Sequence, residues 1–407
     1  MLESGSASGI HIPSELPMRN KLHSCISSIP AFNALFQIHI QEFPMKTLLT
    51  TTFLTLLLLT TLTAQKDNDL AWHDVQEWGI EGRGWSGKEL ATYFDRLPAS
   101  AEGKVRPPVW GLSLHSAGMA VRFQTDATSI HVDYKLRRPN LSMSHMPATG
   151  VSGADLYAKD EKGTWRWVSV TRPSAQIVKT RLVDGLRPGL REYMIYFPLY
   201  NGLEYFKIGV SKEAMFEGLA PRKQKPILFY GTSITHGACA SRPGMPHPAI
   251  IGRRMDMPVI NLGFSGNGRM EKEVGEYLAQ LDPAVYVLDC LPNMSAQMVT
   301  ERAVPLVKQL RAARPDTPIV LVEDRTYTNS WILASKNDRN VTSRIAFKKA
   351  YETLLKEGVK NLYYVEGEPL LGDDNEGATD GSHPSDLGFM RQANVLEPVI
   401  RKAIRMK

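Results

Sequence analysis

Lys225-Pro226-Ile227-Leu228-Phe229-Tyr230-Gly231-Thr232-Ser233 is an apolar run that stops at a glycine and delivers a hydroxyl. Its unbroken apolar character describes a strand covered on both faces, as in a parallel sheet flanked by helices. Similar runs return at Val259–Leu262, Val285–Leu288, Ile319–Val322 and Leu362–Val365. Segments of helical character lie between them, at Glu271–Leu281, Thr300–Ala313 and Ser343–Glu357. Asp386–Ile404 closes the chain with Leu387, Met390, Val395, Val399 and Ile404 at roughly helical spacing. Strand and helix in alternation predict an α/β domain over residues 223–407.

Upstream the rhythm is shorter. Met119–Gln124, Ser129–Leu136, Thr164–Val170 and Glu192–Phe197 place apolar residues at about every second position, with Gly, Pro, Asn and Asp between them. Half-buried strands separated by turn residues predict an antiparallel β-sandwich over residues 65–222. The basic linker Arg222–Lys225 marks the boundary. A chain of 407 residues suits two domains. With 43% hydrophobic and 22% charged residues it is neither largely disordered nor collagen-like. Net charge is +6, but the basic residues are scattered, and Lys135–Arg138 and Arg222–Lys225 read as solvated loops. No nucleic-acid partner is expected.

Met45-Lys46 opens a run from Thr47 to Ala64 made almost wholly of Leu, Thr, Phe and Ala, followed by polar Gln65-Lys66-Asp67. One charge, an apolar stretch and small residues, in that order, describe a secretory signal peptide over 45–64. The run is short and Thr-rich for a membrane span, so no stable span is expected after cleavage. A signal peptide begins at the initiator Met, yet 44 residues precede Met45. Residues 1–44 are therefore read as a doubtful upstream extension, and the mature protein as exported, either secreted or periplasmic. Cys239 and Cys290 are too few for a disulfide framework, and two unlinked buried thiols are expected. No metal-ligand spacing is present, so no structural zinc is expected.

Four places carry chemistry. Ser233 follows Gly231 at the carboxyl end of the first parallel strand, where functional groups of open α/β sheets gather. A serine hydroxyl needs a general base and a group orienting that base. Alone, Gly-x-Ser also describes a turn or a helix N-cap. Asp380-Gly381-Ser382-His383-Pro384 supplies the second half: an Asp three residues before a His can hold one imidazole nitrogen while the other faces a nucleophile. A capping Asp beside a surface His gives the same spacing. Asn261–Gly266 after the second strand and Asp289–Asn293 after the third can supply amide donors to a tetrahedral oxyanion, or are simply β–α turns.

Taken together, these blocks resemble the SGNH (GDSL-like) hydrolases. They stand in the family's order: Ser233 in Gly231-Thr-Ser-Ile, Gly266 in Ser265-Gly266, Asn293 in Pro292-Asn293, and Asp380 with His383. Leu291-Pro292-Asn293-Met294 departs from the usual Gly-x-Asn-Asp, because Met294 cannot make a carboxylate contact. Gly153-Ala154-Asp155-Leu156-Tyr157 is similar to the Gly-x-Asp-Leu-Tyr motif of a sandwich that precedes some SGNH esterases. The resemblance, over about residues 70–405, implies a flavodoxin-like three-layer α/β/α domain behind a jelly-roll-like sandwich, and ester hydrolysis without metal or organic cofactor. It implies Ser233 as nucleophile, His383 as base and then acid, and Asp380 as the orienting carboxylate. The implied oxyanion hole is the Ser233 and Gly266 amides with the Asn293 side chain.

Several further residues are candidates. His236 is close enough in sequence to Ser233 to line a pocket, although His383 is preferred as the base. Arg325 and Tyr327, after the fourth strand, are placed on the rim of the site as substrate-binding residues, with Trp331 as a sugar-stacking face. Arg242 and Arg269 lie in polar loops, suited to sugar hydroxyls or an acidic glycan, or else to pairing with carboxylates. Trp165 and Trp167 share a strand face and are expected in the core. The stretch Met143–Met146, with Gly153–Tyr157, is a candidate to reach the cleft from the sandwich. The expected activity is hydrolysis of short, acetyl-type esters, with a small-molecule or polysaccharide ester as substrate. The alternatives are a lipase or thioesterase for longer chains, and a non-catalytic carbohydrate-binding protein. The oligomeric state stays open.

Overall fold

The computed structural model describes residues 69–405. The expected upstream extension and signal segment fall outside them. Nine strands build two antiparallel sheets: β1 Leu70–Asp74, β2 Ala120–Thr125, β3 Ile130–Leu136, β4 Asp155–Lys159, β5 Trp165–Val170, β6 Ile177–Val183, β7 Arg191–Tyr196, β8 Leu203–Ser211 and β9 Phe216–Leu219. One sheet has the order β1-β8-β3-β6 and the other β5-β4-β7-β2-β9. Alternation does the work here: β3 reads buried–intermediate along its whole length. Its Ile130, Val132, Tyr134 and Leu136 meet Val121, Phe123, Leu156 and Ile195 of the opposite sheet in one core.

Trp165 meets the expectation made for it and Trp167 corrects it. They lie on the outer face of the second sheet, which packs on the α/β domain. Trp165 is buried there, in a cluster with Tyr157, Tyr196 and Ala249. Trp167, nearer the edge, stays 50% exposed.

Five parallel strands follow: β10 Ile227–Gly231, β11 Val259–Gly263, β12 Val285–Asp289, β13 Ile319–Val322 and β14 Leu362–Val365. Their order is β11-β10-β12-β13-β14. The chain therefore leaves β10 in one direction and returns to β12 in the other, which opens a crevice at the carboxyl ends of these two strands. Leu228, Tyr230, Tyr286, Leu288 and Leu321 face one helical layer. Their neighbours Ile227, Phe229, Val285, Val287 and Val320 face the other. Burial on both faces explains the continuous apolar runs.

The helices are α1 Pro107–Ser113, α2 Ala148–Val151, α3 Ser233–His236, α4 His247–Met255, α5 Lys272–Leu278, α6 Ala296–Ala313, α7 Ala334–Lys356 and α8 Asp386–Ala403. Helix α7 starts well before the apolar pattern does. Its first turns carry Lys336, Asn337, Asp338 and Arg339, and its buried residues there are the polar Asn340 and Ser343. Packing also crosses the linker. Trp85, Leu90, Leu97, Val105 and Val109, upstream of β2, join the α/β core beside Leu228 and Leu262. Among the described residues, no helix is long and apolar enough to cross a membrane.

Candidate active site

Strand β10 ends at Gly231 because nothing larger fits: a Cβ there would stand 2.0 Å from Thr235 Oγ1 and 2.7 Å from the Asp289 carbonyl. The chain turns at once into α3, whose N-cap Thr232 accepts from the Ile234 amide through its side chain. Ser233 is thereby left at the crevice, 6% exposed. Its Oγ lies 2.8 Å from His383 Nε2.

His383 comes from a tight turn just before α8. Asp380 Oδ1 accepts from the Ser382 and His383 amides at 3.1 and 2.8 Å, and Oδ2 stands 2.7 Å from His383 Nδ1. Partial burial raises the Asp380 pKa, but the His383 amide and ring and the Ser382 amide outweigh it, and the carboxyl sits below its ordinary value. An ionised carboxylate only accepts, so Nδ1 carries the ring proton and Nε2 offers its lone pair to the Ser233 hydroxyl. The structure thus brings Ser233, His383 and Asp380 into one hydrogen-bonded line.

Gly266 and Asn293 flank it, after β11 and β12. Gly266 has φ +68° and is exposed in the turn that the Phe264 carbonyl closes with the Asn267 and Gly268 amides. Asn293 Oδ1 accepts from the Gly268 amide at 3.3 Å. That bond fixes the amide plane and leaves the Nδ2 donors for another acceptor. Met294, where the family pattern carries Asp, is fully buried.

Other candidates are placed elsewhere. His236 does not line the crevice: it is fully buried, stacks 4.1 Å from Tyr200 and has Nε2 2.6 Å from the Leu199 carbonyl. Burial first, then Arg96 and His115, holds its pKa well below the ordinary value. Arg325 is not on the rim: it is 1% exposed and donates to Asp289 Oδ1 at 2.8 Å, while Asp289 Oδ2 accepts from Thr235 beneath α3. A run of charged residues after a strand reads as a rim when nothing in the sequence shows the buried partner. Tyr327 is half-buried beneath Lys336 at 4.9 Å, and Trp331 is 74% exposed. Cys239 and Cys290 are free and buried. Cys239, Asp380 and His383 each place one donor atom within 4.8 Å of the others. Burial, with the Asp380 charge, pushes the Cys239 thiol up to about 11 against the Thr379 bond.

Two features come from the sandwich. His145, at the tip of the Met143–Met146 turn, has its ring 6.1 Å from that of His383. The Gly-x-Asp-Leu-Tyr motif is a clasp on the loop after α3. Buried Asp155 accepts from Arg242 at 2.9 Å, the Gly244 amide at 2.8 Å and Trp167 at 2.9 Å. Tyr157 also bonds Arg242. Gly153 lets the chain turn tightly out of α2 into the motif, since a Cβ would meet the Thr149 carbonyl at 2.2 Å. Arg242 thus pairs with a buried carboxylate of the sandwich.

The description "GDSL-like Lipase/Acylhydrolase family" matches residues 224–401, and "N-terminus of Esterase_SGNH_hydro-type" matches 70–216. A GDSL-like lipase candidate from Bacteroides ovatus is 35% identical, with 83% of this chain and 99% of that one covered and a TM-score of 0.79. A salicylyl-acyltransferase from a tetracycline biosynthetic pathway shares the fold at 18% identity, covering 81% and 93%, with a TM-score of 0.61. An acetyl xylan esterase from Butyrivibrio proteoclasticus does so at 11% identity, covering 83% and 99%, with a TM-score of 0.50. No curated protein matches. The chain belongs to the GDSL-like lipase/acylhydrolase family and is a carboxylic ester hydrolase.

Proposed function

We propose that the protein is an exported serine esterase that removes short, acetyl-type acyl groups from carbohydrate through an acyl-enzyme. The line Ser233 Oγ–His383 Nε2–Nδ1–Asp380 Oδ2, at 2.8 and 2.7 Å, carries the reading. His383 Nε2 takes the hydroxyl proton as Ser233 Oγ attacks the ester carbonyl, and Asp380 stabilises the imidazolium. The Ser233 and Gly266 amides and Asn293 Nδ2 receive the oxyanion. The intermediate collapses, the C–O bond to the alcohol breaks, and His383 returns its proton to the leaving oxygen. Water, deprotonated by the same nitrogen, then frees the carboxylate and restores Ser233. The glycine- and asparagine-rich loops beside Ser233 favour a short acyl group. The apolar run at 47–64 favours export.

Across p-nitrophenyl esters of increasing length, kcat/KM is expected to peak between acetyl and butyryl and to collapse by octanoyl. Acetylated xylan and acetylated sugars should be deacetylated. A maximum at octanoyl or beyond overturns the short-acyl reading in favour of a lipase. Full activity in Ser233→Ala overturns the mechanism.

A further inference from the structure

A cleft of about 530 Å³ adjoins the site. Ser265 and Asn267, either side of Gly266, form part of its wall. Met143 forms another part, from the turn whose tip places His145 beside His383. Tyr200, which donates to the Ser233 carbonyl at 3.3 Å, completes the connection to the nucleophile. These contacts put the cleft beside Ser233.

Its charge is one-sided. None of the lining residues is Asp or Glu. Arg138 projects into it with no carboxylate partner among the described residues, whereas its neighbour Arg137 pairs with Asp95 at 2.9 Å. The Arg138 backbone is fixed on both sides: its amide donates to Asn201 Oδ1 at 3.0 Å and its carbonyl accepts from Asn201 Nδ2 at 2.9 Å. Beneath the wall lies Arg96, 1% exposed, which donates only to carbonyl oxygens of Leu112, His115, Asn261 and Gly263, between 2.6 and 3.1 Å. Burial lowers Arg96 to about 9, so it stays cationic at neutral pH. His115, 4% exposed on the cleft wall, has no hydrogen-bond partner on either ring nitrogen. Burial, with Arg96 and Arg138, holds it at about 3 and hence neutral. Arg138 at the exposed mouth of the cleft and Arg96 beneath its wall, neither with a counter-carboxylate, give this side of the site a positive potential.

We infer that this cleft is a subsite for a carboxylate carried by the substrate, with the Arg138 guanidinium as its principal ligand. The inference rests on the esterase reading and narrows it to acidic esters: an acylated uronic acid if the charge is on the alcohol, or a dicarboxylic half-ester if it is on the acyl group. A guanidinium fork fits a planar carboxylate through two parallel N–H donors, and Asn140 adds an amide at the same mouth.

The test uses two matched pairs. On the alcohol side, an O-acetyl galacturonide is compared with its methyl ester. On the acyl side, p-nitrophenyl monoglutarate is compared with p-nitrophenyl valerate. The wild-type protein should favour the anionic member of one pair by about tenfold or more in kcat/KM, as for a hydrogen bond to a charged group. That ratio should shrink between about 0.05 M and about 0.5 M salt. It should fall to near one in Arg138→Ala and survive in part in Arg138→Lys. The pair that responds identifies which side of the ester carries the charge. Neutral members turned over as fast as the anionic ones in both pairs, or a preference undiminished in Arg138→Ala, overturns the subsite and leaves the esterase standing. A folded wild-type protein that hydrolyses none of the four substrates overturns both.

Discussion

Replacing Arg325 by methionine separates a buried support from a substrate contact. The guanidinium is 1% exposed and satisfies Asp289, itself fully buried. Without it, Asp289 keeps the Thr235 hydroxyl at 3.1 Å and His247 Nε2 at 3.6 Å. Breaking a buried pair by removing one partner costs about 3–5 kcal/mol, because a charge is left uncompensated. With an unfolding entropy of about 0.7 kcal/mol/K for roughly 340 residues, Tm should fall by about 4–7 °C. The deficit should depend on pH. Burial already raises the Asp289 pKa above its ordinary value, against Arg325 and Thr235. Losing Arg325 raises it further. A carboxyl raised by folding binds more protons folded than unfolded, so stability falls as pH climbs past the unfolded value of about 4. The loss should therefore be larger at pH 7.5 than at pH 4.5. Adding Asp289→Asn removes the orphaned charge and should recover part of the Tm. Differential scanning calorimetry reads these effects, and steady-state kinetics reads KM alongside. An unchanged Tm with a raised KM would refute the argument and return Arg325 to the substrate.

Ser233→Ala, His383→Ala and the double variant should be about equally inactive, since groups acting as one unit are not additive; losses that multiply in single-turnover assays would separate them. Asn293→Ala should lower kcat by about 10²–10³ with little change in KM, as for a donor used mainly in the transition state; a change confined to KM would make it a recognition residue. Asp155→Ala leaves Trp167 and the Gly244 amide without an acceptor and Arg242 with Tyr157 alone, and should cost about 3–5 kcal/mol. Hydrogen exchange should then show the Gly244 amide losing protection, and unaltered exchange there would count against the clasp.

Legibility followed the range of the interactions. The parallel strands announced themselves because burial on both faces leaves no polar residue in Ile227–Tyr230 or Val285–Leu288. The sandwich was legible through period-two alternation, as along Ile130–Leu136. Asp380 and His383 were legible because their geometry closes within one turn, and Ser233 because Gly231 marks the end of its strand. Arg325 and His236 were misplaced for one common reason. Their partners, Asp289 and Leu199, lie 36 and 37 positions away, and no local pattern ties them together. The early turns of α7 were missed because exposed charge and buried Asn340 carry no apolar period. Nor did composition reveal that Trp85–Val109 would leave the sandwich for the other core.

That last segment bears on heredity. Trp85, Leu90, Leu97, Val105 and Val109 are encoded before β2 yet fill the α/β core. Stripping them from it would forfeit about 8–15 kcal/mol of apolar burial, as much as a typical protein's whole margin of about 5–15 kcal/mol. A gene cut at the linker would thus yield a hydrolytic half with an open flank, and the Asp155 acceptor would be missing from its active-site loop. A hydrolytic half moved on its own would need new apolar cover for that flank and a new acceptor for Arg242 and the Gly244 amide.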